Sequence, residues 1–156
     1  MDSVPADVVH HQSSKPSSTL SKQQIMDAYI VVVTLWMEAR GEGEQGMQAV
    51  MNTIMNRSKG NFENSRRVVL KPKQFSCWNG ISNPEQKTID ISKKHRNEKE
   101  FQIAIKLVDA AMKGKLKDIT DGATHYFNPH KVLPTWSKKM KKTVSIKNHD
   151  FYKTGP

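Results

Sequence analysis

The chain has 156 residues and a formal net charge of +10, with hydrophobic residues making up 36% and charged residues 26%. That length suits one domain with a core of its own, and no apolar run comes near the roughly 18 to 20 residues that a membrane-spanning helix needs. A lone cysteine, Cys77, excludes an intramolecular disulfide and a cysteine-rich zinc site, so stability has to come from packing.

Residues 1–21 hold six serines, two prolines and the pair His10 and His11 with almost no apolar periodicity, and they read as a disordered leader to a domain spanning 22–156. Ser21 is placed to cap a helix whose apolar positions Ile25, Tyr29, Val32, Val33 and Trp36 recur at three-and-four spacing up to Glu38. Gly41 and Gly43 break the pattern, and Met47, Val50, Met51, Ile54 and Met55 mark a second helix over about 44 to 58. A third stripe, through Phe101, Ala104, Ile105, Val108, Ala111 and Met112, stops at Gly114, which suits the position just past a helix end. The segments 61–96 and 118–156 contain five of the seven prolines and read as loops with short strands, one of them over 144–152. Charge divides unevenly: residues 1–56 carry three basic and six acidic side chains, and 57–156 carry 22 and nine.

Acid chemistry is therefore concentrated early, in Glu38, Glu42 and Glu44 around Arg40 and two glycines. A general acid needs a carboxyl group partly withheld from water, because burial raises its pKa toward the working pH. Glu38 fits, since it follows Leu35, Trp36 and Met37 at the end of an apolar helix. For Glu42 and Glu44 a plainer role competes, in which they favour the start of the next helix and Arg40 neutralises them. A second cluster, from Lys73 to Gly80, alternates amide, hydroxyl and aromatic groups, the mixture that holds sugars; the alternative is a packed turn with Phe75 and Trp78 in the core. His125, in Gly122-Ala-Thr-His-Tyr-Phe-Asn128, and His149 suit acid–base, metal-ligand or structural roles. Zinc-protease, phosphate-loop, nucleophile-elbow and dinucleotide-binding motifs are absent.

In order, Glu38-Ala-Arg-Gly-Glu42, Gly46-Met-Gln-Ala-Val50 running on to Asn56-Arg57, Gln74-Phe75-Ser76, Gly122-Ala-Thr-His-Tyr126-Phe-Asn128 and Ile146-Lys-Asn148-His149-Asp-Phe151 resemble the bacterial and phage cell-wall hydrolases similar to the catalytic domain of the spore-cortex-lytic enzyme. The likeness covers about residues 25–153. It implies a mainly α (α+β), lysozyme-like or lytic-transglycosylase-like single domain with a few short strands. The implied reaction is cleavage of the β-1,4 bond between N-acetylmuramic acid and N-acetylglucosamine in peptidoglycan, with Glu38 as the catalytic acid. One departure is Lys147, where the family usually has glycine.

Ordinary glycosidases use two carboxylates. The resemblance implies one: Glu38 protonates the leaving oxygen and then deprotonates the muramic acid 6-hydroxyl, which closes a 1,6-anhydro ring. A hydrolase with Asp121 or Glu42 as second carboxylate stays open. Gln74, Ser76, Tyr126 and Asn128 are the expected sugar-binding residues, followed by His125 and His149; no metal or cofactor is expected. The basic runs Lys93-Lys94-His95-Arg96, Lys113-Gly-Lys115-Leu-Lys117 and Lys138-Lys139-Met-Lys141-Lys142 suit peptidoglycan or an anionic outer-membrane surface, or serve as solvated faces. Expected too are a monomer and an endolysin waiting in the host cytoplasm until a holin opens the membrane, unless a secretory signal has been trimmed. Two rivals remain: a wall amidase or endopeptidase using Cys77 with His125 or His149, and a nucleic-acid-binding domain, which the lysine runs support poorly because they contain no aromatic.

Overall fold

The computed structural model describes residues 19–155, so the expectation for the leader falls, up to residue 18, outside the described residues. The first helix, α1 (Lys22–Ala39), starts where Ser21 predicts: its hydroxyl accepts from the Gln24 N–H at 3.0 Å, and the Gln24 side chain accepts from the Ser21 N–H at 2.8 Å. Every residue from Ala28 to Trp36 is buried, on all faces rather than along one stripe. A helix apolar all round belongs in the middle of a fold, and α1 is packed on every side by helices.

A single 3₁₀ turn (Arg40–Glu42) leads into α2 (Gly43–Arg57), close to its expected limits. Met47, Val50, Met51 and Ile54 are buried against the helical body. Its polar positions at four-residue spacing, Gln48, Asn52 and Asn56, face the segment 117–123. Gln48 and Asn52 donate to the Lys117 carbonyl at 2.9 and 3.0 Å, Asn52 accepts from the Ile119 N–H at 3.0 Å, and Asn56 donates to the Ala123 carbonyl at 2.8 Å. Four-residue spacing puts three amides on one face, where they fasten the strand that follows.

The segment 61–96 departs from the loop-and-strand expectation. It holds a 3₁₀ turn (Phe62–Asn64), the short helix α3 (Ser65–Leu70), a 3₁₀ turn (Ser76–Trp78) and the helix α4 (Pro84–His95). The buried positions of α4 are Thr88 and Ser92, so it shows no apolar stripe; its signals are those of its ends, Asn83 capping Gln86, Pro84 in the first turn and Lys93, Lys94 and His95 in the last. The next helix, α5 (Lys99–Met112), matches its stripe and is followed by Gly114 at φ 70°.

The expected single strand over 144–152 is a hairpin, because Lys147 and Asn148 turn the chain. Strands β1 (His125–Phe127), β2 (Met140–Ile146) and β3 (His149–Thr154) form an antiparallel sheet in the order β1-β3-β2, with Tyr126 opposite Phe151 and Ile146 opposite His149. Lys147 has φ 55°, the left-handed region that glycine adopts without cost, which accounts for the family's usual glycine there. The sheet has a small core of its own, Ala123, Ile146 and Phe151 with Ala49 from α2; Tyr126 packs against both this core and the helical one.

Candidate active site

Glu38 lies half-buried in the last turn of α1, at the edge of a cleft of about 370 Å³ that is also lined by Arg57, Lys73, Gln74, Phe75, Thr124, His125, Tyr126 and Trp136. Among the described residues no other carboxylate lines it. Burial raises the pKa of Glu38 above its ordinary value, against hydrogen bonds from the Cys77 N–H and from the Ser76 and Tyr126 hydroxyls, which favour the ionised form. The carboxylate also sits at the negative end of the α1 dipole, which acts in the same direction as burial. An acid that is desolvated yet ringed by donors is equipped both to give up a proton and to hold the resulting charge.

The donors are themselves anchored. Trp78 closes the 3₁₀ turn that carries Ser76 and Cys77, and its indole N–H donates at 2.9 Å to the hydroxyl of Thr34, which donates to the Ile30 carbonyl at 2.7 Å. Thr34 precedes Glu38 by four residues and so shares its face of α1. Tyr126 comes from β1 with its ring edge-on to His149 at 5.0 Å and tilted against Phe151 at 5.6 Å. Burial and the neighbouring Glu38 push its phenol well above the ordinary range, so it keeps its proton and donates.

Of the expected sugar-binding residues, Gln74, His125 and Tyr126 line the cleft and Ser76 reaches Glu38. Asn128 does not line it: its side chain accepts from the His130 N–H at 2.9 Å and its carbonyl accepts from Lys131 and Val132, closing the turn after β1. His149 stands behind Tyr126 rather than in the cleft, with Nδ1 3.4 Å from Glu42. Burial lowers its pKa and Glu42 opposes the shift. Glu42 faces the hairpin turn, accepting from the backbone and side-chain N–H groups of Asn148, each at 3.3 Å. Arg40 stacks over Trp36 with its guanidinium carbon 4.2 Å from the ring, and Glu44 pairs with Lys106 at 3.0 Å, so Arg40 is not the expected neutraliser of the acidic pair. Asp121 is largely exposed beside Lys153 at 3.7 Å. Neither candidate for a second carboxylate enters the cleft.

Trp78 and Phe75 are 8% and 3% exposed, which makes Trp78 a core residue and leaves Phe75 only an edge on the cleft. The aromatic face is Trp136, against His125 at 5.0 Å and Phe127 at 5.6 Å. Its signal in the sequence was a lone aromatic in a polar loop just after a proline. Arg57 stood in the sequence only as the end of a segment that carries the family resemblance, with no role of its own. Cys77 is half-buried, and burial, with Glu38 beside it, pushes its thiol up to about 12, which removes the thiolate that a nucleophile needs. Among the described residues, no group of three His, Cys, Asp or Glu side chains stands where it could hold a metal ion, and no helix is long and apolar enough to cross a membrane.

No curated protein matches the chain. Two solved structures share the fold. The catalytic domain of the germination-specific lytic transglycosylase SleB from Bacillus anthracis is 24% identical over 86% of this chain and 97% of that one, with a TM-score of 0.60. The catalytic domain of the Bacillus cereus SleB protein is 22% identical over 98% of both chains, with a TM-score of 0.59. The sequence pattern of one family, Cell Wall Hydrolase, matches residues 41–152, from three residues after Glu38 to the middle of β3. On that match, which spans well over half its length, the chain belongs to the cell wall hydrolase family.

Proposed function

We propose that this member of the family cleaves the glycan strand of peptidoglycan as a lytic transglycosylase, with Glu38 as its single acid and base. The observation that carries the reading is Glu38 itself, the one carboxylate that lines the cleft among the described residues, withheld from water and addressed by three donors. Protonated Glu38 delivers its proton to the glycosidic oxygen as the bond to C1 of muramic acid breaks. The resulting carboxylate, held by Cys77, Ser76 and Tyr126, takes the proton of the 6-hydroxyl as that oxygen bonds to C1 and closes the anhydro ring. No water is consumed and Glu38 ends as it began. Trp136 offers a face for a sugar ring and Gln74 an amide for its hydroxyl or N-acetyl groups. The likeness to the two SleB catalytic domains supports the fold this chemistry needs.

Mass spectrometry of fragments released from Gram-negative peptidoglycan tests the reading. Muropeptides ending in 1,6-anhydromuramic acid are the expected product, and Glu38→Gln should release them at least about a hundredfold more slowly, the ordinary size of a general-acid effect. Reducing ends would mean hydrolysis and a second carboxylate; intact glycan with cut peptides would refute glycan cleavage altogether. An endolysin role is part of the same proposal and rests on the sequence resemblance. Expression in a Gram-negative host should lyse cells only when a holin is co-expressed.

A further inference from the structure

The proposed reaction leaves two charged groups of the cleft, Arg57 and Lys73, without a task. Arg57, at the last position of α2, is half-buried and lines the cleft. Its charge acts on the Tyr126 ring and on His125. Among the described residues it has no carboxylate partner and no hydrogen-bond acceptor, although Asp118 lies in the loop fastened to the same helix. Asp118 is fully engaged elsewhere, accepting from the Thr120 N–H and hydroxyl at 2.7 and 2.6 Å, from the Gly122 N–H at 3.0 Å and from Asn56 at 3.0 Å. A guanidinium withdrawn from water loses hydration that some anion has to replace, and its planar fork fits a carboxylate. Burial and Arg57 together hold His125 toward its neutral form, so that ring supplies no counter-charge.

A second cation reaches the same space. Lys73 lines the cleft and has φ 65°, a left-handed backbone that a lysine adopts only at a cost. Strained residues of this kind concentrate where a side chain has to be presented to a ligand. Among the described residues the cleft thus sets two cations against a single carboxyl group that burial pushes toward neutrality. A strand of neutral sugars would not call for this arrangement.

We propose that Arg57 and Lys73 form a carboxylate-binding subsite that recognises the anionic arm of muramic acid, and so sets which sugar of the alternating strand enters the cleft at Glu38. The inference rests on the glycan-cleaving reading above. N-Acetylglucosamine carries no charge, whereas muramic acid bears a lactyl ether ending in a carboxyl group, either free or joined to a peptide with carboxylates of its own. The shared chemistry is a carboxylate on that arm.

The test compares initial rates on intact peptidoglycan, on glycan stripped of peptide by an amidase, which frees the lactyl carboxylate, and on the stripped glycan after its carboxylates are converted to methylamides. Wild type should cleave at least one carboxylate-bearing substrate about tenfold faster than the methylamide, the lower end for a charge-assisted hydrogen bond. Rapid cleavage of the stripped glycan identifies the lactyl carboxylate as the ligand; rapid cleavage of intact material alone identifies the peptide. Arg57→Gln should shrink the ratio to about twofold through KM rather than kcat, and Arg57→Lys should restore part of it. Lys73→Gln, at an exposed position, provides a variant whose folding is not at risk, and the wild-type ratio should fall as salt is raised. Equal cleavage of all three substrates by wild type, or a ratio unchanged in Arg57→Gln and Lys73→Gln, overturns the subsite while leaving glycan cleavage standing. Failure to cut any glycan overturns both.

Discussion

Thr34→Val perturbs the site without touching the cleft. Thr34 is fully buried, and its hydroxyl receives the Trp78 indole N–H at 2.9 Å. Valine keeps the shape and removes the acceptor, so the Trp78 N–H is left buried with no partner on α1, at a cost of about 1–3 kcal/mol. Loss of the Thr34 bond to the Ile30 carbonyl adds little, because that carbonyl keeps its helical partner. For a domain of this size each kcal/mol lowers the melting temperature by about 3–5 °C, so the expected fall is about 3–15 °C by circular dichroism. Trp78 positions Ser76 and Cys77, two of the three groups addressing Glu38, so kcat should fall as well, measured well below the melting point. Thr34→Ser keeps the hydroxyl and should spare activity. In a double-mutant cycle with Trp78→Phe the double variant should lose less stability than the two single losses added together. A Thr34→Val protein as stable and as active as wild type would refute the idea that this bond seats the donor turn.

Because burial raises the pKa of Glu38, ionising it costs stability; the cost is absent below its ordinary value of 4.5 and grows as pH rises toward the folded-state pKa. Glu38→Gln should therefore melt higher than wild type at neutral pH, with the difference vanishing below about pH 4 in a pH series of thermal melts. Cys77, with its thiol pushed up to about 12, should react with iodoacetamide at pH 8 far more slowly than a free thiol, and unfolding in urea should abolish the protection. Cys77→Ala should keep full lytic activity. A Cβ at Gly46 would stand 2.4 Å from the Cβ of Glu42, so Gly46→Ala should cost about 1–3 kcal/mol in urea unfolding by forcing Glu42 off the hairpin turn.

Much of this was readable because burial leaves a periodic trace. The stripes through Tyr29, Met47 and Phe101 located α1, α2 and α5, and the apolar residues before Glu38 marked it as the desolvated acid. The helix α4 escaped because Thr88 and Ser92 fill its buried positions, leaving the evidence for it in its caps. The β2–β3 turn escaped because lysine stands where glycine would have announced it. Within the site, Gln74, Ser76, His125 and Tyr126 were legible from their chemistry and order in the chain. Asn128 and His149 carry equally suitable groups, but which way a side chain points is decided by turns and packing that no spacing reports. The cleft positions of Trp136 and Arg57 are visible only in the tertiary structure, one arriving from a 3₁₀ turn (Thr135–Lys139) after a proline and the other from a helix end.

The two sides of the cleft belong to different cores. Glu38 and its donor turn are set in the helical body, while Tyr126 and His125 belong to a sheet whose own apolar cluster is small and whose links to α2 include the amides of Gln48, Asn52 and Asn56. Such an arrangement divides the molecule into cooperative units of unequal strength. On warming, the sheet should detach while the helices still hold their amide protons. Inactivation would then precede global melting, and the temperature range over which this protein works would be set by its smaller half.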